Sequence, residues 1–465
     1  MNQKKKLSFL LAALPILTVI IMGLMSVVKW KAGMHAPLIS SIVVAAIIGK
    51  YLGYSWSELE QGLVEGVSRA LPAIFILMIV GAIIGTWMLG GIIPTLIYYA
   101  YEIINPTFFV PATCFVTAIV ATSTGTSFTS MATIGLALMA TGIGMGFPAP
   151  LVAGAVISGA FFGDKISPLS DTTNLAPAMA GCTLFEHIGH MLWDTLPSML
   201  LALVAYYFVG LKYVAASVAQ PESIQAITMG LEKAFTIHPL LLLIPVITIA
   251  LAVKRVPAVP SLVIVTFLGG LCAMVVQGVD LAAVLKAMTN GYQSQTGVKM
   301  LDSLLSRGGI NSMGGIILLL TVATALGGIL EKIGALEVIL HTLMRRIKTS
   351  AQLLLTTLFS GLAIAFATGA QLLAIVLPAR MFPPAFKEMN LHPKNLSRVS
   401  EAAGTVGINL VPWSVPAIFA QNILGVEPLQ FIPYLYFVFF VLILNAFYGI
   451  TGISITKIAP ENGQK

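Results

Sequence analysis

Apolar runs alternate with short polar or glycine-rich breaks along nearly the whole chain. A helix needs about 20 apolar residues to cross a bilayer. In the first half, residues 7–28, 37–53, 71–89 and 192–210 read as such spans, with a short amphipathic stretch at 57–68 and an interfacial helix near 92–104. Two apolar arms, 107–121 and 129–145, flank Thr122-Ser123-Thr124-Gly125-Thr126-Ser127, a hydroxyl and glycine stretch unsuited to a lipid-facing helix. Residues 149–163 are apolar again and then break into a polar run from Asp164 to Asn174.

The second half repeats this grammar at 239–253, 260–276 and 313–330. Gly125 and Gly369 are separated by 369 − 125 = 244 residues, and Gly163 and Gly407 share that offset. So do Gly90 with Gly334, Phe115 with Phe359, Pro168 with Pro412, Ser170 with Ser414 and Gly181 with Gly425. This register marks an internal duplication. If the arms around 122–127 form a re-entrant hairpin, each half crosses five times and the second copy is inverted. The expected fold is an all-α polytopic membrane protein of two inverted repeats, each with about five transmembrane helices, a re-entrant hairpin and a broken helix. Residues 1–212 would form the first repeat, 213–236 an extramembrane linker, 237–450 the second repeat and 451–465 a cytoplasmic tail. If every hairpin arm crossed fully, fourteen spans and parallel halves would result.

Composition excludes a soluble protein. Hydrophobic residues are 57% of the 465-residue chain and charged residues only 9%, whereas soluble domains carry about 25%. Charge sidedness then orients the spans. With the N-terminus inside, 17 basic residues fall on the inside, Lys50, Lys254, Lys332, Arg380 and Arg398 among them, against seven outside, with Lys165 left in the membrane. Both ends are thus expected in the cytoplasm of a multi-pass cell-membrane protein. The net charge of +7 sits in short loops and is no nucleic-acid signal. The apolar run after Lys4-Lys5-Lys6 is too long for a leader and has no small-residue cleavage site, so it reads as the first span. Cys114, Cys182 and Cys272 lack paired spacing and read as buried hydrophobes.

Polar backbone and ionisable groups at membrane depth mark cavities and ion pathways. Four segments qualify: residues 121–130, 163–174, 367–371 and 404–416. The second is the richest. Asp164, Ser167, Ser170, Asp171, Thr172, Thr173 and Asn174 supply carboxylate, hydroxyl and amide oxygens between apolar flanks, a donor set suited to a hard cation such as Na+. The bland alternative, an interfacial loop with capping hydroxyls, explains less, because the matching segment of the second half has no charge. Thr124, Thr126 and Ser127 at the hairpin tip would face the same cavity. Gln371, Thr405, Asn409 and Ser414 would coordinate from the second half without titrating.

The run Gly159-Ala160-Phe161-Phe162-Gly163-Asp164-Lys165-Ile166-Ser167-Pro168-Leu169-Ser170-Asp171-Thr172-Thr173-Asn174-Leu175-Ala176-Pro177 resembles the signature of the NhaC family of Na+/H+ antiporters, within the wider ion-transporter superfamily. The stretch 122–127, Gly328-Ile329-Leu330-Glu331-Lys332 and Asn409-Leu410-Val411-Pro412-Trp413 are similar to other segments of that family. The resemblance spans nearly the whole chain and implies exchange of sodium for protons. Some members instead couple these ions to exchange of malate for lactate. On this reading Asp164 and Asp171 bind Na+ when deprotonated, protonation displaces it, and Asp164→Asn or Asp171→Asn each abolishes exchange. No cofactor is implied beyond the transported Na+ and H+. The partners are the lipid bilayer, a small carboxylate or amino acid on the exchanger alternative, and a second copy of the chain as a homodimer.

Other candidates carry two readings each. Glu331 is either a second proton site or a membrane-edge acid paired with Lys332. Glu401 pairs with Arg398 at helical spacing. His187 and His190, near Glu186 and Asp194, form a metal pair, a pH sensor or an interfacial linker. Lys165, the one base inside a break, leaves room for an anionic substrate. An intramembrane aspartyl protease would need its second aspartate on another helix, whereas Asp171 shares the segment of Asp164. No nucleotide-binding loop appears, which disfavours ATP-driven transport, and no carbonyl filter points to a channel.

Overall fold

The computed structural model describes residues 5–458 apart from 31, 69, 104, 219–220, 255, 296–301, 303–304, 307 and 345–346. Of the bases used for orientation, Lys4, Lys31, Arg69, Arg255, Lys299, Arg307, Arg345, Arg346 and Lys465 lie outside the described residues, as does the end of the expected tail from 459. Among the described residues the chain is helical, with one isolated bridge between Leu391 and Lys457. Among the described residues, seven helices are long and apolar enough to cross a membrane, and four bent pairs raise the number to 11 if each is one broken span. The protein is a multi-pass membrane protein.

The first expected spans are the helices Phe9–Leu24, His35–Leu52 and Leu71–Leu89. Leu71–Leu89 packs on Ala258–Val275 from the second half. The stretch expected at 57–68 is the helix Trp56–Ser68, whose face of Leu59, Gly62 and Gly66 is buried against Gly314–Lys332. Its amphipathicity therefore reflects packing inside the bundle.

The hairpin arms are the helix Phe109–Thr124 and a second helical stretch that starts at Ser127. Pro106–Thr124 and Ser127–Gly144 each have the length of a full crossing. Gly125 turns the chain between them at φ 69°, and Gly369 turns the matching pair, Ser350–Thr368 and Gln371–Met381, at φ 63°. Only glycine adopts this left-handed conformation without penalty. Gly181 (φ 86°) and Gly425 (φ 73°) end the matching helices Asp171–Ala180 and Val415–Leu424 in the same way. The offset of 244 thus has a counterpart in the backbone. It slips by one at its early end, where Gly91, not Gly90, shares φ 75° with Gly334.

Several boundaries and partners differ from the expected ones. The span read as 192–210 is a 35-residue helix, Leu184–Val218. On its polar start, His187, His190 and Asp194 are buried against the rest of the bundle. The segment 213–236 is largely helical, and Leu231 and Phe235 join the apolar core. Arg398 is fully buried and so does not count as an inside-loop base. It is not paired with Glu401: Arg398 donates to Ser454 Oγ at 2.7 Å and lies over the Tyr448 ring, while Glu401 faces His187. Residues three apart on a helix can meet, but here the partners come from neighbouring elements.

Candidate functional site

The polar run after Gly163 divides one apolar stretch into two helices. Ala149–Ile166 ends where Ser167 becomes extended, and Asp171–Ala180 restarts after Ser170. Pro168 lacks the N–H that would bond within a helix and disfavours helical backbone at Ser167, which favours the break there. The loop is held from within. Ser167 Oγ donates to Thr122 O at 2.8 Å, tying the break to the hairpin tip. Thr173 Oγ1 donates to the carbonyls of Asp164 and Lys165, each at 3.0 Å, and satisfies the exposed end of the first helix. Asn174 Nδ2 donates to the carbonyls of Pro168 and Ser170.

Asp164 is the centre of this arrangement. Its carboxylate accepts from Ser170 Oγ at 2.5 Å, Ser127 Oγ at 2.6 Å and Ser127 N at 3.3 Å. Ser127 begins its helix, so the positive end of that helix faces the acid. The approach depends on Gly163. A β-carbon there would collide with Thr122 N, Ala121 and Ala118 O of the Phe109–Thr124 helix. Gly163→Val is expected to lower stability by roughly 1–3 kcal/mol through overpacking and to displace Asp164. Gly189→Ala, where a β-carbon meets nothing within 4 Å, is the control. Thermal melts of the two purified variants check this, and equal midpoints would refute the packing argument.

Asp164, Ser170, Asp171, Thr172, Thr124, Thr126, Ser127 and Gln371 line one cavity of about 700 Å3, together with Glu331. Its remaining walls are mostly apolar, with Ile76, Leu262, Leu320 and Leu373 among them. Helix starts at Ser127, Asp171, Gln371 and Val415 all border it. Asp171 is exposed at the wall and makes no direct hydrogen bond or ion pair to Asp164 among the described residues. Six candidates do not line the cavity, among them Thr405, which donates to Glu401 Oε1 at 3.1 Å. Ser167, Thr173 and Asn174 brace the break; Asn409 donates to Val406 O at 3.0 Å; Ser414 caps the Val415–Leu424 helix through Ala417 N.

Three features were not legible in the sequence. Arg380, counted as a loop base, lines the cavity. Lys165 does not: it is fully buried and forms an ion pair with Asp194 at 3.2 Å, while Asn445 donates to the same carboxylate at 2.6 Å. His187 and His190 have separate partners, Ser397 with Glu401 and Asn395, so they do not form a metal pair. Positions 187, 190 and 194 do carry a signal. They form one polar stripe at helical spacing on an otherwise apolar helix.

The chain matches the Na+/H+ antiporter family over residues 3–173 and 159–453. It is 37% identical over 458 residues to the Na+/H+ antiporter NhaC of Alkalihalophilus pseudofirmus, covering 98% of each chain. The chain belongs to the Na+/H+ antiporter family. Other relatives carry different names. The malate-2H+/Na+-lactate antiporter of Bacillus subtilis is 36% identical over 415 residues, covering 89% of this chain and 88% of its own. The arginine/ornithine antiporter ArcD of Halobacterium salinarum is 34% identical over 462 residues, covering 99% and 95%. The break that holds Asp164 falls within both matched stretches of the antiporter family, because residues 159–173 are common to them.

Proposed function

We propose that this member of the Na+/H+ antiporter family is a secondary transporter that exchanges Na+ for protons across the cell membrane, with Asp164 as the seat of both ions. The observation that carries the reading is the Asp164 carboxylate at the cavity wall, ringed by hydroxyls. Deprotonated, Asp164 offers Na+ an anionic oxygen, and the Ser127, Ser170 and Thr172 hydroxyls lie close by as neutral oxygen donors. Protonation turns that carboxylate into a neutral acid and releases the ion. Asp171, Thr124, Thr126, Gln371 and Glu331 form the surrounding polar wall. The matched turns at Gly125 and Gly369 and at Gly181 and Gly425 support two related halves, proposed as inverted repeats with both chain ends in the cytoplasm. Exposed Leu200, Phe208 and Leu271 offer apolar surface to lipid or to a second copy.

A second reading, co-exchange of a small carboxylate or amino acid, is favoured by the cavity itself. Its volume of about 700 Å3 falls within the range of organic-ligand pockets. Arg380 and the helix starts at Gln371 and Val415 give part of its wall a positive potential. The test uses purified protein in proteoliposomes with an imposed pH gradient. Na+ is added alone, then with malate, lactate, arginine or ornithine. Collapse of the gradient by Na+ alone is the expected result. Collapse only with an organic solute makes the protein a metabolite exchanger, and Arg380→Gln is then expected to weaken uptake of a carboxylate about tenfold or more through the lost charged hydrogen bond. No collapse under any condition overturns both readings.

A further inference from the structure

The cavity leaves a second buried cluster unexplained. His187 Nε2 faces Glu401 Oε2 at 3.3 Å, and both side chains are fully buried. Ser397 Oγ lies 2.6 Å from the other imidazole nitrogen, Nδ1, and Thr405 donates to Glu401 Oε1 at 3.1 Å. The two facing atoms have no hydrogen-bond partner among the described residues. Buried polar atoms are almost always satisfied. An Nε2–H on neutral His187 satisfies both and leaves the pair with one negative charge; a further proton on Nδ1, donated to Ser397 Oγ, makes the pair neutral, and this is the proton that can leave. Glu401 also sits where its helix passes into a π-helical turn, Ala402–Val406. Such irregularities recur at functional sites.

The charges around the pair point the same way. Among the described residues, the buried carboxylates are Asp164, Asp194 and Glu401, and the buried permanent cations are Lys165 and Arg398. Lys165 cancels Asp194. Arg398 offsets one further negative charge, which leaves one uncompensated. A cation at Asp164 supplies the missing charge, and so does a proton on the pair. The helix Ala149–Ile166, which carries Asp164, packs on the π-helical turn Ala402–Val406 that follows Glu401, so two added positive charges oppose one another in this poorly screened interior.

The remaining titratable neighbours do not fill the role. His190, one turn along the helix of His187, is bound to Asn395, and Asp194 is held by Lys165 and Asn445. Cys182 precedes the helix of His187, and Lys394 shares the helix of Glu401. Tyr448 covers Arg398. On the neighbouring helices Asp171–Ala180 and Gln371–Met381 the ionisable groups are Asp171 and Arg380, which line the cavity. The packed helix Ser350–Thr368 has none.

We propose that the His187–Glu401 pair is a second proton-binding site of the transporter, and that Na+ binding at Asp164 expels its proton. This rests on the Na+/H+ reading above. Access need not pass through the Na+ cavity: a separate pocket of about 370 Å3, lined by Glu186, His190, Lys394 and Ser454, opens one helical turn from His187. By linkage, a proton that weakens Na+ binding is itself released when Na+ binds.

The experiment is calorimetric titration of Na+ into purified full-length protein, in buffers of differing ionisation enthalpy, to count protons released per Na+ across a range of pH. The wild type is expected to release more than one proton per Na+, one from Asp164 and part of a second from the pair. Glu401→Gln should still bind Na+ but release no more than one, with a shallower dependence of Na+ affinity on pH. His187→Gln, which leaves the carboxylate in place, should also lower the count, and it serves if Glu401→Gln does not fold. A wild type that releases one proton or fewer, or variants that bind Na+ with an unchanged count and pH dependence, would overturn the second site alone. A wild type that binds no Na+ overturns the antiport reading and this proposal with it.

Discussion

Replacing Asp164 by asparagine is expected to abolish Na+-dependent proton exchange while leaving a folded protein. Asparagine keeps the size of the side chain but removes its charge. It also places an NH2 group among Ser127 N, Ser127 Oγ and Ser170 Oγ, all of which donate to the carboxylate. Loss of the anion from a buried ion site costs about 3 kcal/mol or more, roughly a hundredfold or more in Na+ affinity. Asp171→Asn acts on an exposed carboxylate without such a ring of donors, so its effect should be smaller, about tenfold or less. Sodium-isotope uptake into proteoliposomes, beside a melting curve for each variant, separates the two. Wild-type turnover in Asp164→Asn would remove the basis of the Na+ site.

Breaking the Lys165–Asp194 pair is expected to damage the fold rather than transport alone. Both side chains are fully buried, 3.2 Å apart, on the Ala149–Ile166 and Leu184–Val218 helices. Lys165→Met strands the Asp194 carboxylate, and Asp194→Leu strands the Lys165 ammonium. Each single change should cost about 3–5 kcal/mol and sharply reduce folded yield. The double variant Lys165→Met/Asp194→Leu should regain much of that loss, since an apolar pair of similar volume can replace a buried ion pair. Detergent-solubilised yield and thermal midpoint measure this. A double variant no better than the worse single one would show that the pair does more than balance charge. The comparison also tests whether Lys165 has a transport role, because a recovered fold without exchange would assign it one.

Much of the architecture was legible in the linear pattern. Long apolar runs leave few arrangements other than membrane helices, because every backbone polar group must be satisfied internally in lipid. Pro168 and the hydroxyls around it interrupt such a run, and they marked the break that now borders the cavity. The repeated glycines marked the matching turns, whose left-handed backbone makes glycine the favoured residue. The failures were of a different kind. Glu401 was paired with Arg398, three residues away, but it meets His187, over two hundred positions earlier in the chain. Lys165 was offered to a substrate, but it meets Asp194.

Linear chemistry alone was enough to read a helical membrane protein, glycines recurring at an offset of 244 residues, and Asp164 in a break rich in oxygen ligands. These follow from local chemistry: hydropathy, helix-breaking residues and the types of side chain along a short segment. Only the tertiary structure decided which of those oxygens meet the cavity, that Arg380 joins them, and that Ser167, Thr173 and Asn174 serve as struts. It also decided the partners of the buried charges. An ionisable group inside a membrane protein takes whichever opposite charge or hydrogen-bond donor the packing brings within a few ångströms, and that distance is fixed by helix contacts between residues far apart in the chain.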